Sequence, residues 1–352
     1  MKKGAILVLL DLSAAFDTVD HGILLSRLKS RLGIGGIVLA WFESYLKGRK
    51  QKVVVEGVAS NTVSLGFGVP QGSVLGPILF TIYTLPLGDI ARQHGLEIHM
   101  YADDDQLYIF FDVMDKVGTA DAILRVESCV SDISVWMTAN KLKFNEDKTE
   151  VIVISSRQHQ ANIDISSVKA GEFPVTPKSC VRNLGVLFDR TLSMEDHAKS
   201  VSKAAFFQLR NIGSIKPILQ KQTLEKLIHS FITVRIDYCN SLLYATSNLV
   251  IQKIQRVQNS AARLLTGTRK YEHITPVLQS LHWLPVPYRI EYKILLLTFK
   301  ALNGMAPKYL RELITLYEPS RALRSTDSGL LTVKKTQKAQ DVWGQGLLCI
   351  CP

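Results

Sequence analysis

Apolar residues along the chain fall into two periodicities. Residues 5–12 form a nearly unbroken apolar run with a charged end, the pattern of a strand buried on both faces. Leu24, Leu28 and Leu32 repeat at helical spacing, and Gly33 predicts a left-handed cap. A second helix is predicted over residues 37–46, with Gly48 after it. Short strands are predicted at 52–56 and 62–65, and a helix opening from a glycine turn at 72–84. The apolar runs 98–102 and 106–111 flank Asp103-Asp104-Asp105 and predict a β-hairpin with acidic residues at its tip. Ala122, Val126, Cys129, Val130, Ile133, Trp136 and Met137 share one face of a long helix. Strands follow at 150–155 and 181–188.

From Ser193 the pattern is almost wholly helical. Val201, Ala205, Leu209 and Ile212 form one stripe; Leu224, Leu227, Ile228 and Phe231 a second; Ile254, Val257, Ala261 and Leu264 a third. Mixed helices and strands followed by helices alone predict an α+β domain over 1–190 and helical regions over 191–270 and 271–326, with an irregular tail at 327–352. Charge changes at the same place. Residues 1–190 carry 20 Lys and Arg against 21 Asp and Glu, a balance of −1; residues 191–352 carry 22 against 10, a balance of +12. A polyanionic partner held by the second half explains that asymmetry, and so does an ordinary basic surface.

The five cysteines are odd in number and scattered, with no CxxC pair, so the reading is free thiols and no zinc site. The apolar run after Met1-Lys2-Lys3 is too short for a signal core, and no other run reaches membrane-spanning length. The expectation is an intracellular protein, cytoplasmic or nuclear, neither secreted nor membrane-bound.

Joining a nucleotide to a primer end uses two divalent cations, one at the attacking oxygen and one at the leaving pyrophosphate. Magnesium takes oxygen ligands, so such a site needs carboxylates on rigid elements. Asp11, at the end of a buried strand, and Asp103-Asp104, at a hairpin tip, fit if their strands are neighbours in one sheet. Tyr-x-Asp-Asp alone is weak evidence, because aspartate also favours ordinary turns.

The ordered set is more specific. "VLLDLSAAFDTVDH", "GVPQGSVLGPILF", "YADDDQLY", "NKLKFNEDKTEVIV" and "RNLGVLFD" resemble, in order and spacing, the successive palm motifs of reverse transcriptases. They are most similar to those of LINE-type (non-LTR) retrotransposons of the jockey-like group, and the resemblance continues through "LHWLPVPYRIEYKILLLTFKALNGMAPKYL". It implies an α+β polymerase palm with an antiparallel sheet and packed helices, then a helical thumb and a C-terminal helical region. It makes Asp11 and Asp103 ligands of two Mg2+ ions (Mn2+ being able to substitute), with Asp104 in support and the Leu12 carbonyl as a further ligand.

Phe16 falls where the family places a bulky side chain beneath the incoming sugar, although a plain core aromatic has the same pattern. Pro70, Gln71 and Gly72 match the loop that contacts nucleotide and template, with a helix from Gly72 aiming amides at phosphate. Lys148 matches the late palm lysine, a general acid for pyrophosphate. Leu184 and Gly185 lie in the segment that grips the primer. Lys253, Arg256 and Arg263 share a helix flank suited to the phosphate backbone. Asp17 and Asp105 acquire no role and read as solvated or capping residues.

The implied partners are an RNA template, a DNA primer and deoxynucleoside triphosphates. The family also carries a fingers region before "LLDLSAAFD" and a separate endonuclease, so the sequence reads as a 5′-truncated copy with a divergent tail. The alternative to an RNA-directed DNA polymerase is a catalytically silent remnant that at most binds nucleic acid.

Overall fold

The structure, a computed structural model, describes residues 3–13, 15–70, 72–171, 173–317 and 331–332. Its contacts divide the chain into two units, Met1–Val181 and Arg182–Pro352. Of the tail at 327–352, only Leu331 and Thr332 belong to the described residues.

In the first unit the opening apolar run forms β1 (Lys3–Leu10), and all of it but Lys3 and Leu9 is buried. The acidic hairpin forms β2 (Glu97–Tyr101) and β3 (Asp104–Asp112), and β4 (Glu150–Ile154) follows the long helix. The sheet order is β4-β1-β3-β2, with every neighbouring pair antiparallel. This strand is thus central, which is why it carries no polar residue between Gly4 and Leu10.

One sheet face carries Ile6, Val8, Leu10, Leu107, Ile109, Val151 and Val153 into a single apolar cluster. Leu24 and Leu28 of α1 (His21–Leu32), Leu79, Phe80 and Tyr83 of α3 (Gly76–Thr84), and Leu87 and Ala91 of α4 (Pro86–Gln93) join it. So do six of the seven stripe residues on α5 (Lys116–Ala139), with Trp136 packed at the margin. α1 starts at Asp20, whose carboxylate accepts the Ile23 N–H at 2.9 Å, and stops at Gly33 with φ 66°.

A charged residue is also built into this core. The Arg27 guanidinium lies 4.5 Å from the Tyr83 ring centroid and 4.9 Å from that of Trp136, and it donates to Asn140 Oδ1. Tyr83 Oη donates to the Asn140 carbonyl at 2.5 Å. Burial lowers the Arg27 pKa and raises that of Tyr83, while the cation over the ring offsets part of each change. This cluster ties α1, α3 and the end of α5 together. The predicted strands at 52–56 and 62–65 are instead exposed two-residue ladders, Lys50–Gln51 with Val63–Ser64 and Val54–Val55 with Val58–Ala59. α2 (Gly36–Leu46) buries only Leu46 and leaves Ile37, Val38 and Trp41 exposed.

In the second unit the predicted strand at 181–188 is a hairpin, β5 (Cys180–Asn183) and β6 (Val186–Asp189). Its turn residues Leu184 and Gly185 have φ 44° and 85°, positive at both positions as tight hairpins demand. Tyr238 closes over the turn, donating from Oη to the Leu184 carbonyl at 2.5 Å. Asp189 ends the hairpin by accepting the N–H groups of Thr191, Ser193 and Met194. Burial alone would raise its pKa, but hydrogen bonds from the Thr191 hydroxyl, the Ser193 and Thr191 N–H groups and the Ser193 hydroxyl hold the carboxyl below its usual value.

Helices α6 (Glu195–Ile215) and α9 (Asn248–Thr266) bury Ala205, Leu209 and Ile212 and Val250, Ile254, Val257 and Ala261 respectively. Between them α7 (Lys221–Ile228) runs through a π-helical turn, His229–Thr233, into α8 (Val234–Asp237). That wider turn corrects one expectation. Ile232 is buried and Phe231 is 44% exposed, because the extra residue per turn rotates the stripe past Phe231. α10 (Ile274–Ser280), α11 (Val286–Leu302) and the short α12 (Lys308–Arg311) follow, and Arg289 of α11 forms a two-bond pair with Asp237 of α8.

The hairpin turn makes a testable demand. A Cβ on Gly185 would stand 3.3 Å from the Tyr238 ring, at a φ that L-residues avoid. Gly185→Ala should lose about 1–2 kcal/mol in urea unfolding of the full chain. Gly66→Ala, where a Cβ meets nothing within 4 Å, should stay near the unmodified value.

Candidate active site

The pairing of β1 with β3 decides which side chains meet. Its register ends at Leu10↔Asp105, so one further step sets Asp11 level with Asp104. Alternation along a strand then sends Asp11 and Asp104 to one face and Leu10 and Asp105 to the other. Asp103 takes the second place of the two-residue turn closed by Tyr101↔Asp104, with Ala102 at φ 56° before it. Asp103 and Asp104 are exposed and Asp11 is half-buried. Burial, then the charges of Asp103 and Asp11, push the Asp104 carboxyl above its usual range.

Asp105 differs from its neighbours. It is 1% exposed, beside Leu10 and Met100 on the flanking strands, and neither carboxylate oxygen has a hydrogen-bond partner among the described residues. Burial first, then Asp103 and Asp104, push its carboxyl up to about 7. The expectation of a solvated or capping residue is overturned here, because the period of two along β3 turns this side chain toward the core. Asp17 is exposed, as expected.

Lys148 and Asp11 are brought together. Lys148 Nζ lies 3.5 Å from Asp11 Oδ2, at the end of a single 3-10 turn, Glu146–Lys148. Asn145, which the sequence reading passed over, donates from Nδ2 to the same oxygen at 3.0 Å and from its backbone N–H to the Asp11 carbonyl at 3.0 Å. Just beyond Asp11, Leu12 and Ser13 pair with Phe144 and Lys143.

Phe16 and the glycine-rich loop also meet. The Phe16 carbonyl accepts the Val69 N–H at 2.9 Å, and the Val19 carbonyl accepts the Gly68 N–H at 2.8 Å. The half-buried Phe16 ring packs against Phe80 with centroids 4.8 Å apart. Pro70 opens a turn in which Gly72 has φ 76° and Ser73 Oγ donates to the Pro70 carbonyl at 2.7 Å. Gln71 lies outside the described residues. The helix expected from Gly72 begins instead at Gly76, since a left-handed residue cannot open a helix there and Pro77 suits its first turn. The Gly76 N–H is taken by Ser73 Oγ and the Ser73 N–H by the Pro70 carbonyl, so the segment at Gly72 is a turn rather than a helix start.

In the second unit Arg263 is already engaged, donating to the carbonyls of Arg269 and Glu272, while Arg256 is exposed and Lys253 half-buried. A cleft of ≈460 Å³ lies beside Gly185, lined by Arg182, His197, Arg235 and Tyr238 among others. No carboxylate lines it, and neither arginine forms an ion pair among the described residues. Burial, then the Arg182 charge, lowers the pKa of His197. Arg182 and Arg235 were missed in the sequence because single arginines on separate elements make no local pattern.

The reverse transcriptase (RNA-dependent DNA polymerase) family matches residues 1–188. The chain belongs to that family. It is 27% identical over 266 residues to a probable RNA-directed DNA polymerase from the transposon X-element of Drosophila melanogaster, covering 73% of this chain and 28% of that one. It is 25% identical over 270 residues to the RNA-directed DNA polymerase from the mobile element jockey of Drosophila funebris, covering 74% and 28%. This reverse transcriptase chain thus spans less than a third of the length of those relatives. The solved structures similar to it include a telomerase from Candida albicans with a fragment of telomeric RNA, at TM-score 0.37 and 12% identity, covering 80% of this chain and 51% of that one. The expected kinship with jockey-like retrotransposon enzymes is borne out. No helix among the described residues is long and apolar enough to cross a membrane.

The donor chemistry suits a hard divalent cation. Asp11 Oδ1 has no partner among the described residues, and the exposed Asp103 and Asp104 carboxylates stand within electrostatic reach. Among the described residues no three His, Cys, Asp or Glu side chains are gathered to hold an ion alone. Magnesium bound by one or two carboxylates takes its other ligands from phosphates and water, so the residues fit an ion brought with its substrate.

Asp105 supplies a pH test in metal-free buffer. Its carboxyl is neutral in the fold up to about 7 but ionises near 3.8 when unfolded. The unfolded state therefore releases this proton first, and stability from this group declines as pH rises from about 4 and is lost above about 7. Asp105→Asn should raise the melting temperature at pH 8 and leave it nearly unchanged at pH 4.5. Equal gains at both values would remove ionisation as the cause.

Proposed function

We propose that this chain is the catalytic part of an RNA-directed DNA polymerase, adding deoxynucleotides to a primer 3′-OH by two-metal nucleotidyl transfer. The observation that carries it is the meeting of Asp11 with Asp103-Asp104, ninety-two residues away in sequence, at the ends of the two inner strands of the sheet. In this reading residues 1–190 are the palm, 191–270 the thumb and 271–326 a C-terminal helical region. A pair of Mg2+ ions, or Mn2+, would activate the primer oxygen and neutralise the triphosphate.

Asp11, Asp103, Asp104 and the Leu12 carbonyl would hold those ions. Phe16 sits beneath the sugar and excludes a 2′-hydroxyl, and Pro70, Gln71 and Gly72 flank nucleotide and template. Lys148 gives its proton to the departing pyrophosphate. Its 3.5 Å approach to Asp11 Oδ2, from an exposed side chain, supports a place within reach of the reacting centre. Leu184 and Gly185 hold the primer strand. Lys253, Arg256 and Arg263, with Arg182 and Arg235, supply sequence-independent contacts to phosphate. Residues 182–317 carry 19 Lys and Arg against 8 Asp and Glu, a balance of +11, which supports a polyanionic partner on this unit.

Primer extension on an RNA template tests the catalytic part. Whatever extension the unmodified chain gives should fall by about a hundredfold or more with Asp103→Asn and Asp104→Asn. Equal background from both would favour the alternative, a chain that at most binds nucleic acid. Salt dependence tests the basic unit. Replacing Lys253 and Arg256 by Ala should lower the slope of log affinity against log salt by roughly one unit per lost contact. An unchanged slope would return these charges to ordinary surface.

A further inference from the structure

Asp11 Oδ2 receives two donors of different kind. Lys148 Nζ approaches at 3.5 Å from a side chain that is 68% exposed, whereas Asn145 Nδ2 donates at 3.0 Å from a half-buried position. The asparagine is also tied down on its own backbone. Its N–H donates to the Asp11 carbonyl at 3.0 Å, and its carbonyl accepts Thr149 Oγ1 at 3.0 Å and the Lys148 N–H at 3.3 Å. Thr149 is 4% exposed. The ladder of Leu12–Ser13 with Phe144–Lys143 fixes the segment from the other side. One residue therefore clamps main chain to main chain and side chain to side chain at Asp11.

The chemical difference between the donors matters. A neutral amide fixes which way a carboxylate faces without cancelling its charge. An ammonium fixes it less firmly and competes with any cation for the same negative charge. The Asn145 bond to Oδ2 does not depend on Lys148, and it opposes a rotation that would present Oδ2 in place of Oδ1.

We propose that Asn145 is a positioning residue: its side-chain amide holds Asp11 Oδ2 so that Oδ1 is the oxygen offered to a divalent cation, independently of Lys148. This rests on the two-metal reading of the carboxylates. It predicts opposite behaviour for the two donors. Removing the amide loosens cation binding, while removing the ammonium leaves it intact or tightens it.

The experiment is Mn2+ binding by the purified full chain, followed by the loss of the free-ion electron paramagnetic resonance signal, beside primer extension. Asn145→Ala keeps the backbone clamp, and melting curves set the conditions under which it is folded. It should weaken Mn2+ by about tenfold or more. Its kcat should fall with little change in the KM for nucleotide, and raised Mn2+ should recover part of the rate. Asn145→Ser, which retains a donor of shorter reach and serves where the alanine variant is unstable, should fall between. Lys148→Ala should bind Mn2+ at least as tightly as the unmodified chain.

Three results overturn the proposal or its basis, and they differ. If Asp11→Asn abolishes binding while Asn145→Ala and Asn145→Ser leave it unchanged, Asn145 is only a loop anchor. If Lys148→Ala weakens Mn2+ as much as Asn145→Ala does, the two donors are not distinct. If Asp11→Asn itself changes nothing, the two-metal reading fails, and with it the role given to Asn145.

Discussion

The pairing of β1 with β3 is the constraint on which the first unit turns. Asp11 and Asp103-Asp104 are repelled by one another, and nothing local draws them together. The strands bearing them are aligned instead by Ile6, Val8, Leu107 and Ile109, whose burial is worth roughly 1.5–3 kcal/mol each. That apolar gain is large enough to hold like charges at the strand ends. The Asp104 carboxyl there is raised by burial first, and then by the charges of Asp103 and Asp11.

Other features of the first unit serve the same end. Arg27 between Tyr83 and Trp136 joins the helices beneath the sheet, and the Asp20 cap fixes where α1 leaves the loop that carries Phe16. The Gly68 and Val69 amides then pin the glycine-rich loop to that same segment. Side chains far apart in sequence are thereby held on one short stretch of backbone, from Asp11 to His21. The helical unit depends on different devices, a strained hairpin turn under Tyr238 and a π-helical turn, both of which place backbone where regular structure would not.

Much of this was legible before any coordinates. α5 was readable because seven apolar residues keep one period over many turns, and the acidic hairpin because two apolar runs bracket it. Family membership was readable from ordered motifs, where composition gave only charge. The meeting of Asp11 with Asp104 was legible only through that family resemblance, since register between strands ninety-odd residues apart leaves no local trace. The difference among three consecutive aspartates was not legible, since it depends on which face each takes. Asn145 looked like any loop asparagine, and Phe231 was misplaced because a π-helical turn has no sequence period of its own.

The two-residue turn at Ala102-Asp103 carries one more implication. Side chains change face with each step along a strand, so the turn's length is also a count that assigns roles to identical residues. One inserted residue here, if β3 slid to keep its pairing, would carry Asp104 inward and Asp105 outward, and would turn Leu107 and Ile109 to the opposite side. The chemistry of every amino acid would be preserved and its meaning lost. A substitution in this turn leaves that count unchanged, whereas an insertion that shifts the register alters it for every residue of β3 at once.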